Sequence, residues 1–421
     1  MDFSGEAFTG ETAEGRAVLR DLVNATIGFE RFGGIRFAGY RWNPLPFPLF
    51  SGGPRMTRPI DTSRDLTLPF ATDAALRRRF TVVDEPLAGN LRFDLLLEVL
   101  DELAEKTALS YTRRLVPDGR VVTAAIDNIL LREPPDVTRD LALHARINYV
   151  GRTSAEVGIR IEHPGASPIH LASCYFTMVA RSGQGEASRS VPLQPLEYAD
   201  ELEKRRYDKA IARRESYRKE QAAATEPPSR EEYALLSGIH AEQDQPGFSG
   251  RLVSELVTSN WERMYPEQEN VPQKIFGGYL VRRAYELASI NSEEIAPDRP
   301  VIIRVNRINF LQPVRLGDKL HFVSRVVYTG ASSICVEVNI ERVSRDRVTR
   351  ALSNTCVFTF VNVDPDMIPR PVPPVYPTTY AEDARFLEAY RRNRRHNDQR
   401  PPRAQLIAGS PDRREERAST S

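Results

Sequence analysis

Two short stretches of this 421-residue chain carry groups able to do chemistry. The first is Asp101. It falls midway along a helical run in which Phe93, Leu96, Leu97, Leu100, Leu103, Ala104 and Thr107 recur at three- and four-residue steps. Such a stripe must be buried, and an unpaired carboxylate beside it costs several kcal/mol. Asp101 therefore has a chemical task, or it turns to solvent, or it caps a neighbour; the pattern leaves all three open. The second stretch is Gly277-Gly278, which opens a later helical run. Paired glycines let other groups approach the backbone closely, and the free N–H groups and dipole of a helix start can hold developing negative charge. Close packing of helix on sheet is the ordinary alternative. None of the six histidines falls on either run, no Gly-x-Ser-x-Gly elbow occurs, and no His/Cys/Asp cluster has metal-ligand spacing.

These groups are held by a chain that contains itself twice, roughly 180 residues apart. Arg146–Ile159 runs without a gap against Arg325–Val338, Cys174–Val179 answers Cys356–Val361, and Val122–Ile129 answers Val301–Ile308. A repeat of this length is a whole folded unit, so the copies are expected to form a pseudo-dimer that divides its chemistry between them. Lys plus Arg number 58 and Asp plus Glu 57, so no global charge attracts the chain to nucleic acid. No apolar run reaches the roughly 18 residues of a membrane span, so stable membrane insertion is not expected. Three cysteines, Cys174, Cys335 and Cys356, sit in strand-like runs as expected buried thiols, which fits a reducing compartment. Asp2, Glu6, Glu11 and Glu14 precede the first arginine, the wrong sign for a mitochondrial leader, and the residues alone read as cytoplasmic.

Each copy reads as one long helix followed by an antiparallel meander, an α+β unit whose helix must cross one face of its sheet. Residues 1–66 read as an irregular extension, 67–185 as the first unit, 186–249 as a linker with a charged helix around Glu203 to Lys219, and 250–365 as the second unit. Residues 366–421 read as a Pro/Arg-rich tail with a short helix near Tyr380 to Arg392. The arginine clusters Arg391–Arg395 and Arg413–Arg414 are expected to be solvated. Asn90, just ahead of the first helix, reads as its cap. His144 and His321 read as sheet residues, and Arg304 and Arg307 as part of a solvated sheet face.

A helix wrapped by an antiparallel sheet, duplicated in one chain, resembles the double hotdog acyl-CoA thioesterases. The likeness covers about Thr67 to Val363. Tyr265 to Leu280 is similar to that family's Asn-x(6)-Gly-Gly entry into the hotdog helix, and Leu97-Glu-Val-Leu-Asp-Glu-Leu-Ala to its Asp-Glu helix core. With Leu68-Pro-Phe upstream, it points to the branch typified by the mitochondrial thioesterases of animals. The resemblance implies one composite hydrolytic site: Asp101 from the first copy as base or nucleophile, facing Asn270, Gly277 and Gly278 of the second. Each copy lacks what the other keeps, with Tyr285 at the place of Asp101, and Pro86 and Phe93-Asp94 at the places of Asn270 and the glycines.

The resemblance further implies a fatty acyl-CoA substrate and no cofactor or metal. Thr329, Gly330, Ser332 and Ser333 in one hairpin and Arg152 in the other are candidate coenzyme A contacts, or ordinary turns. A homo-oligomer, possibly a trimer of double units, and a mitochondrial location are further expectations from the family. Two competing readings are a weakly catalytic or non-catalytic acyl-CoA-binding protein and a hotdog hydratase or dehydratase; the absence of a helix histidine counts against the latter.

Overall fold

The computed structural model describes residues 57–83, 88–183, 187–224, 226–271, 274–275 and 277–398, with the backbone alone of 31–32 and 35–36. Pro86, most of the extension at 1–66 and the cluster Arg413–Arg414 lie outside the described residues.

The leucine stripe forms helix α1, Phe93–Leu115, and its buried residues include every position of that stripe. No proline or glycine interrupts it, and the turn at Pro117-Asp-Gly119 ends it, with the Gly119 amide returned to the Val116 carbonyl at 2.8 Å. The second copy supplies helix α4, Gly277–Glu293, which packs against α1. Because sheet covers one side of α1 and α4 the other, Asp94, Glu98, Asp101 and Glu102 are buried with the leucines.

Around α1 runs sheet A: β1 (Arg64–Leu68), β2 (Arg120–Ile126), β4 (Leu141–Val150), β5 (Ser154–His163) and β6 (Ile169–Ser182). Between β2 and β4 lies the two-residue β3, Ile129–Leu130. After the linker come β7 (Val257–Arg263), the small pair β8 (Glu269–Val271) and β9 (Lys274–Ile275), then β10 (Arg299–Val305), β11 (Ile308–Asn309), β12 (Lys319–Thr329), β13 (Ser333–Val343) and β14 (Arg350–Val363). Sheet A has the order β1-β4-β5-β6-β2-β11, and sheet B has β7-β12-β13-β14-β10-β3. The two orders are the same, and each sheet closes on a two-residue strand borrowed from the other copy. Ile308 and Asn309 pair with Ile126 and Ala125, while Val305 and Arg304 pair with Ile129 and Leu130. Register irregularities also recur at matching places, between Thr123 and Ala125 and between Ile302 and Arg304. The molecule is two hotdog units exchanging strands about a pseudo-two-fold axis.

The segments outside the units are more structured than their composition suggests. The charged linker helix is α2, Glu201–Ala224, and a second helix, α3 (Arg230–Gln243), follows it with a Ser229/Glu232 capping box. The C-terminal helix α5 runs Tyr380–Asp398 and buries Phe386, Leu387 and Ala389. The expectation of a solvated arginine cluster holds for Arg394, 57% exposed, but not for Arg391 and Arg392. Arg391 binds both carboxylate oxygens of Glu232 at 2.7 and 2.8 Å, and half-buried Arg392 pairs with Glu388. Folding the tail back beside α3 gives Arg391 a partner that the linear sequence does not show, whereas Arg392 and Glu388 are an i,i+4 pair within α5.

Candidate active site

Asp101 is completely buried. Its Oδ1 accepts a hydrogen bond from the Thr123 hydroxyl on β2 at 2.6 Å. Its Oδ2 makes no well-formed hydrogen bond among the described residues, although the Gly278 amide is near enough to favour the ionised form. Burial pushes the carboxyl pKa up to about 6; the Thr123 and Gly278 donors oppose this, and the Glu98 charge adds to it. The side chain thus neither faces solvent nor caps a neighbour. It is a buried acid with one oxygen uncommitted.

That oxygen points at the start of α4. A Cβ placed on Gly277 would lie 3.3 Å from Asp101 Oδ2 and 3.1 Å from two atoms of the Phe310 ring. Any side chain at position 277 would therefore fill the space between the carboxylate and the helix tip. Gly277 and Gly278 are the first two residues of α4, so their N–H groups lie outside the intrahelical ladder. Phe310 follows the borrowed strand β11 and is fixed by its amide to the Ala124 carbonyl at 3.0 Å, next to Thr123. Asn270 lies on β8, in the hairpin ahead of α4; its side chain lies outside the described residues.

The mirrored corner is filled. Tyr285 is buried against Phe93, Phe358 and Phe360, with ring centroids 5.9, 5.4 and 5.8 Å away. Desolvation drives its phenol far above the ordinary range. Where the second copy has Gly278, the first has Asp94, whose carboxyl is raised by burial and partly restored by Arg92 at 2.7 Å. Ile302 stands at the bulge that carries Thr123 in the first copy. Asn90 does not cap α1 as expected. The N-cap position is Arg92, without a side-chain cap bond, and Asn90 instead clamps the backbone of Val83, accepting from its N–H at 3.0 Å and donating to its carbonyl at 2.7 Å.

The candidate coenzyme A residues separate into two places. Ser332 and Ser333 line a cavity of about 180 Å³ between sheet B and α5, together with Arg304, Asn306, Arg392 and Asn393. Thr329 donates to the Pro373 carbonyl at 3.0 Å, and the Gly330 amide closes the hairpin on Ser333 at 2.8 Å. Arg152 is exposed on the corresponding hairpin of sheet A and does not join this group. Neither strand arginine lies on a solvated face: Arg304 lines the cavity, and Arg307 stacks on Tyr217 of α2 at 3.7 Å and meets Asp127 at 3.4 Å. His144 pairs with Asp65 at 2.7 Å and His321 stacks on Trp261 at 4.2 Å, both within sheet surfaces. The three cysteines are free and buried.

Thr123 and Phe310 are the site residues that sequence reasoning missed. A threonine in Val121-Val-Thr-Ala-Ala-Ile reads as an ordinary strand residue, because its partner lies on another element. The one available signal for Phe310 was its place just after the Val301–Ile308 match.

Two units, each a long helix crossed by an antiparallel sheet of the same strand order, define a double hotdog fold. A family profile described as the Thioesterase superfamily matches residues 99–166 and 273–349, once in each copy. The chain is 30% identical over 329 residues to acyl-coenzyme A thioesterase 2, chloroplastic, of Humulus lupulus, covering 72% of each protein. It is 27% identical over 350 residues to the human acyl-coenzyme A thioesterase 9, mitochondrial, covering 79% of this chain and 76% of that one. Among solved structures, an acyl-CoA hydrolase from Staphylococcus aureus is 29% identical, covering 38% of this chain and 98% of its own, with a TM-score of 0.34. The chain belongs to the acyl-CoA thioesterases of the Thioesterase superfamily and is an acyl-CoA hydrolysing enzyme.

Proposed function

We propose that the enzyme hydrolyses fatty acyl-CoA to free fatty acid and coenzyme A at one composite site, with Asp101 supplied by residues 67–185 and Asn270, Gly277 and Gly278 by residues 250–365. What supports this is the 3.3 Å separation between Asp101 Oδ2 and the Cβ position that Gly277 leaves empty. The thioester carbonyl enters that gap with its oxygen towards the Gly277 and Gly278 amides, whose N–H groups and helix dipole stabilise the negative charge of the tetrahedral intermediate. Asp101 either takes a proton from the attacking water or attacks the carbonyl carbon itself. Thr123 fixes Oδ1, so only Oδ2 faces the reacting carbon. Asn270 orients the water or the carbonyl. A carboxyl with a pKa of about 6 is ionised at neutral pH and still basic enough to accept a proton.

Ser332, Ser333, Thr329 and Gly330 are the proposed coenzyme A contacts, with Arg304 and Arg392 beside the two serines as phosphate partners and Arg152 offered by the other hairpin. A mitochondrial location fits the names of several relatives, and a trimer of double units fits the pseudo-dimeric plan. The test is free-thiol release from acyl-CoAs of graded chain length by the wild type and Asp101→Asn. The variant is expected to lose a factor of about 10² to 10⁴ while remaining folded. Wild-type rates in Asp101→Asn contradict the assignment, and a preference for short, non-fatty acyl groups contradicts the substrate class.

A further inference from the structure

Glu98 and Arg282 stand 184 positions apart. The same separation relates Asp101 to Tyr285 and Asp94 to Gly278, so Glu98 and Arg282 occupy one equivalent position in the two copies. Both lie where α1 and α4 face each other, and Arg282 Nη1 donates to Glu98 Oε2 at 3.0 Å, their side chains 17% and 5% exposed. In a symmetric pair of identical units, such a position meets itself across the axis. Two first copies would bury Glu98 against Glu98, and two second copies Arg282 against Arg282; only the mixed pair neutralises its own charge.

Glu98 also stands one turn before Asp101 on the same face of α1. We propose that the Glu98–Arg282 pair is a positioning device for the hydrolytic carboxylate: it locks the first copy onto the second and holds a negative charge one turn from Asp101. The proposal rests on the reading of Asp101 as the hydrolytic group. Around Glu98 stand Arg282 from α4, Asp94 from its own helix and Arg79 from the short helix Ala74–Arg79. Around Asp101 stand the Thr123 hydroxyl from β2, the Gly278 amide from α4 and Glu98 from its own helix, and the Phe310 ring lies against Gly277. Glu98 is the charge that raises the Asp101 pKa; burial raises the Glu98 carboxyl itself, and Arg282 is the first of the groups that oppose this and favour its ionised form. Arg282 is itself anchored by Glu286 at 3.0 Å, and Arg92 ties Asp94 and Glu286 together at 2.7 and 3.3 Å.

Removing the charge at position 98 makes Asp101 easier to ionise, so hydrolysis persists to lower pH. The experiment measures kcat/KM against pH, together with thermal stability, for the wild type, Glu98→Gln and the exchange Glu98→Arg/Arg282→Glu. Glu98→Gln is expected to lower the melting temperature and move the acid limb down by at least about half a pH unit, a threefold gain in relative rate on that limb. The exchange keeps a pair between the two helices but loses the bond of position 282 to Glu286, so stability is only partly regained; it puts a cation one turn from Asp101 and moves the limb further down. A purely structural pair changes stability alone. An acid limb at the wild-type pH in the exchanged variant overturns the proposal, and that variant decides alone where Glu98→Gln does not fold. Full activity in Asp101→Asn would instead remove the underlying reading, so the two failures are distinguishable.

Discussion

The two corners where α1 and α4 meet are equivalent positions of the two copies and are in opposite states. At the first, Asp101 lies in a gap kept open by Gly277. At the second, Tyr285, Phe93, Phe358 and Phe360 fill the equivalent volume with packed rings. A symmetric pair has two sites and must keep every residue compatible with both. A duplicated chain can give one corner to chemistry and let the other become core. The two corners differ in stability: a buried, partly unsatisfied carboxylate weakens the fold at one, while aromatic packing strengthens it at the other.

That contrast can be broken from either side. The largest effect is expected at the open corner. Gly277→Val puts a branched side chain where even a Cβ is 3.1 Å from Phe310, and kcat/KM for acyl-CoA should fall about a hundredfold or more with little change in fold content by circular dichroism. At the filled corner, Tyr285→Asp places a carboxylate at the position equivalent to Asp101 without supplying the glycines. Chemical denaturation should show a loss of about 3–5 kcal/mol, and kcat should not rise; a doubled kcat would mean that Phe93 and Asp94 do not close the second site.

A smaller effect of opposite sign is expected from Asp101→Asn on stability. The folded pKa of about 6 lies above that of an unfolded aspartate, so the unfolded state releases its proton first as pH rises from about 4 to 6. Stability is therefore lost over that window on going up in pH. At pH 7 the asparagine variant should be more stable than wild type by on the order of 2 kcal/mol, with the advantage disappearing below about pH 4. The smallest change sharpens the role of the neighbour. Thr123→Val removes the 2.6 Å hydrogen bond that favours the carboxylate, so the acid limb of the pH–rate profile should move upward by a fraction of a unit.

The sequence made the hotdog units legible because the leucine spacing of α1, the glycine pair of α4 and the internal match all survive in linear order. The strand exchange between copies was not legible, since Ile129–Leu130 and Ile308–Asn309 are too short to carry a periodic signal. Asp101, Gly277 and Gly278 were found from burial logic and from the resemblance, but Thr123 was hidden by the plain alternation of its strand. Helix α3 went unread because none of its residues is fully buried; its short apolar group, Leu235, Leu236 and Ile239, is only partly covered by the core. Asn90 has the right residue type and place for a cap; its amide is used by the Val83 backbone instead, a contact that exists only once the chain has folded back. Arg391 gained its carboxylate partner, Glu232, in the same way.

The claim that both copies build one site is tested most directly by a double-mutant cycle on kcat/KM for acyl-CoA, with Asp101→Asn, Gly277→Val and the two combined. Groups acting on the same bond in the same step do not add. The combined variant is expected to be about as slow as Asp101→Asn alone. Losses that multiply to their full product, or near wild-type turnover in either single variant, would contradict it.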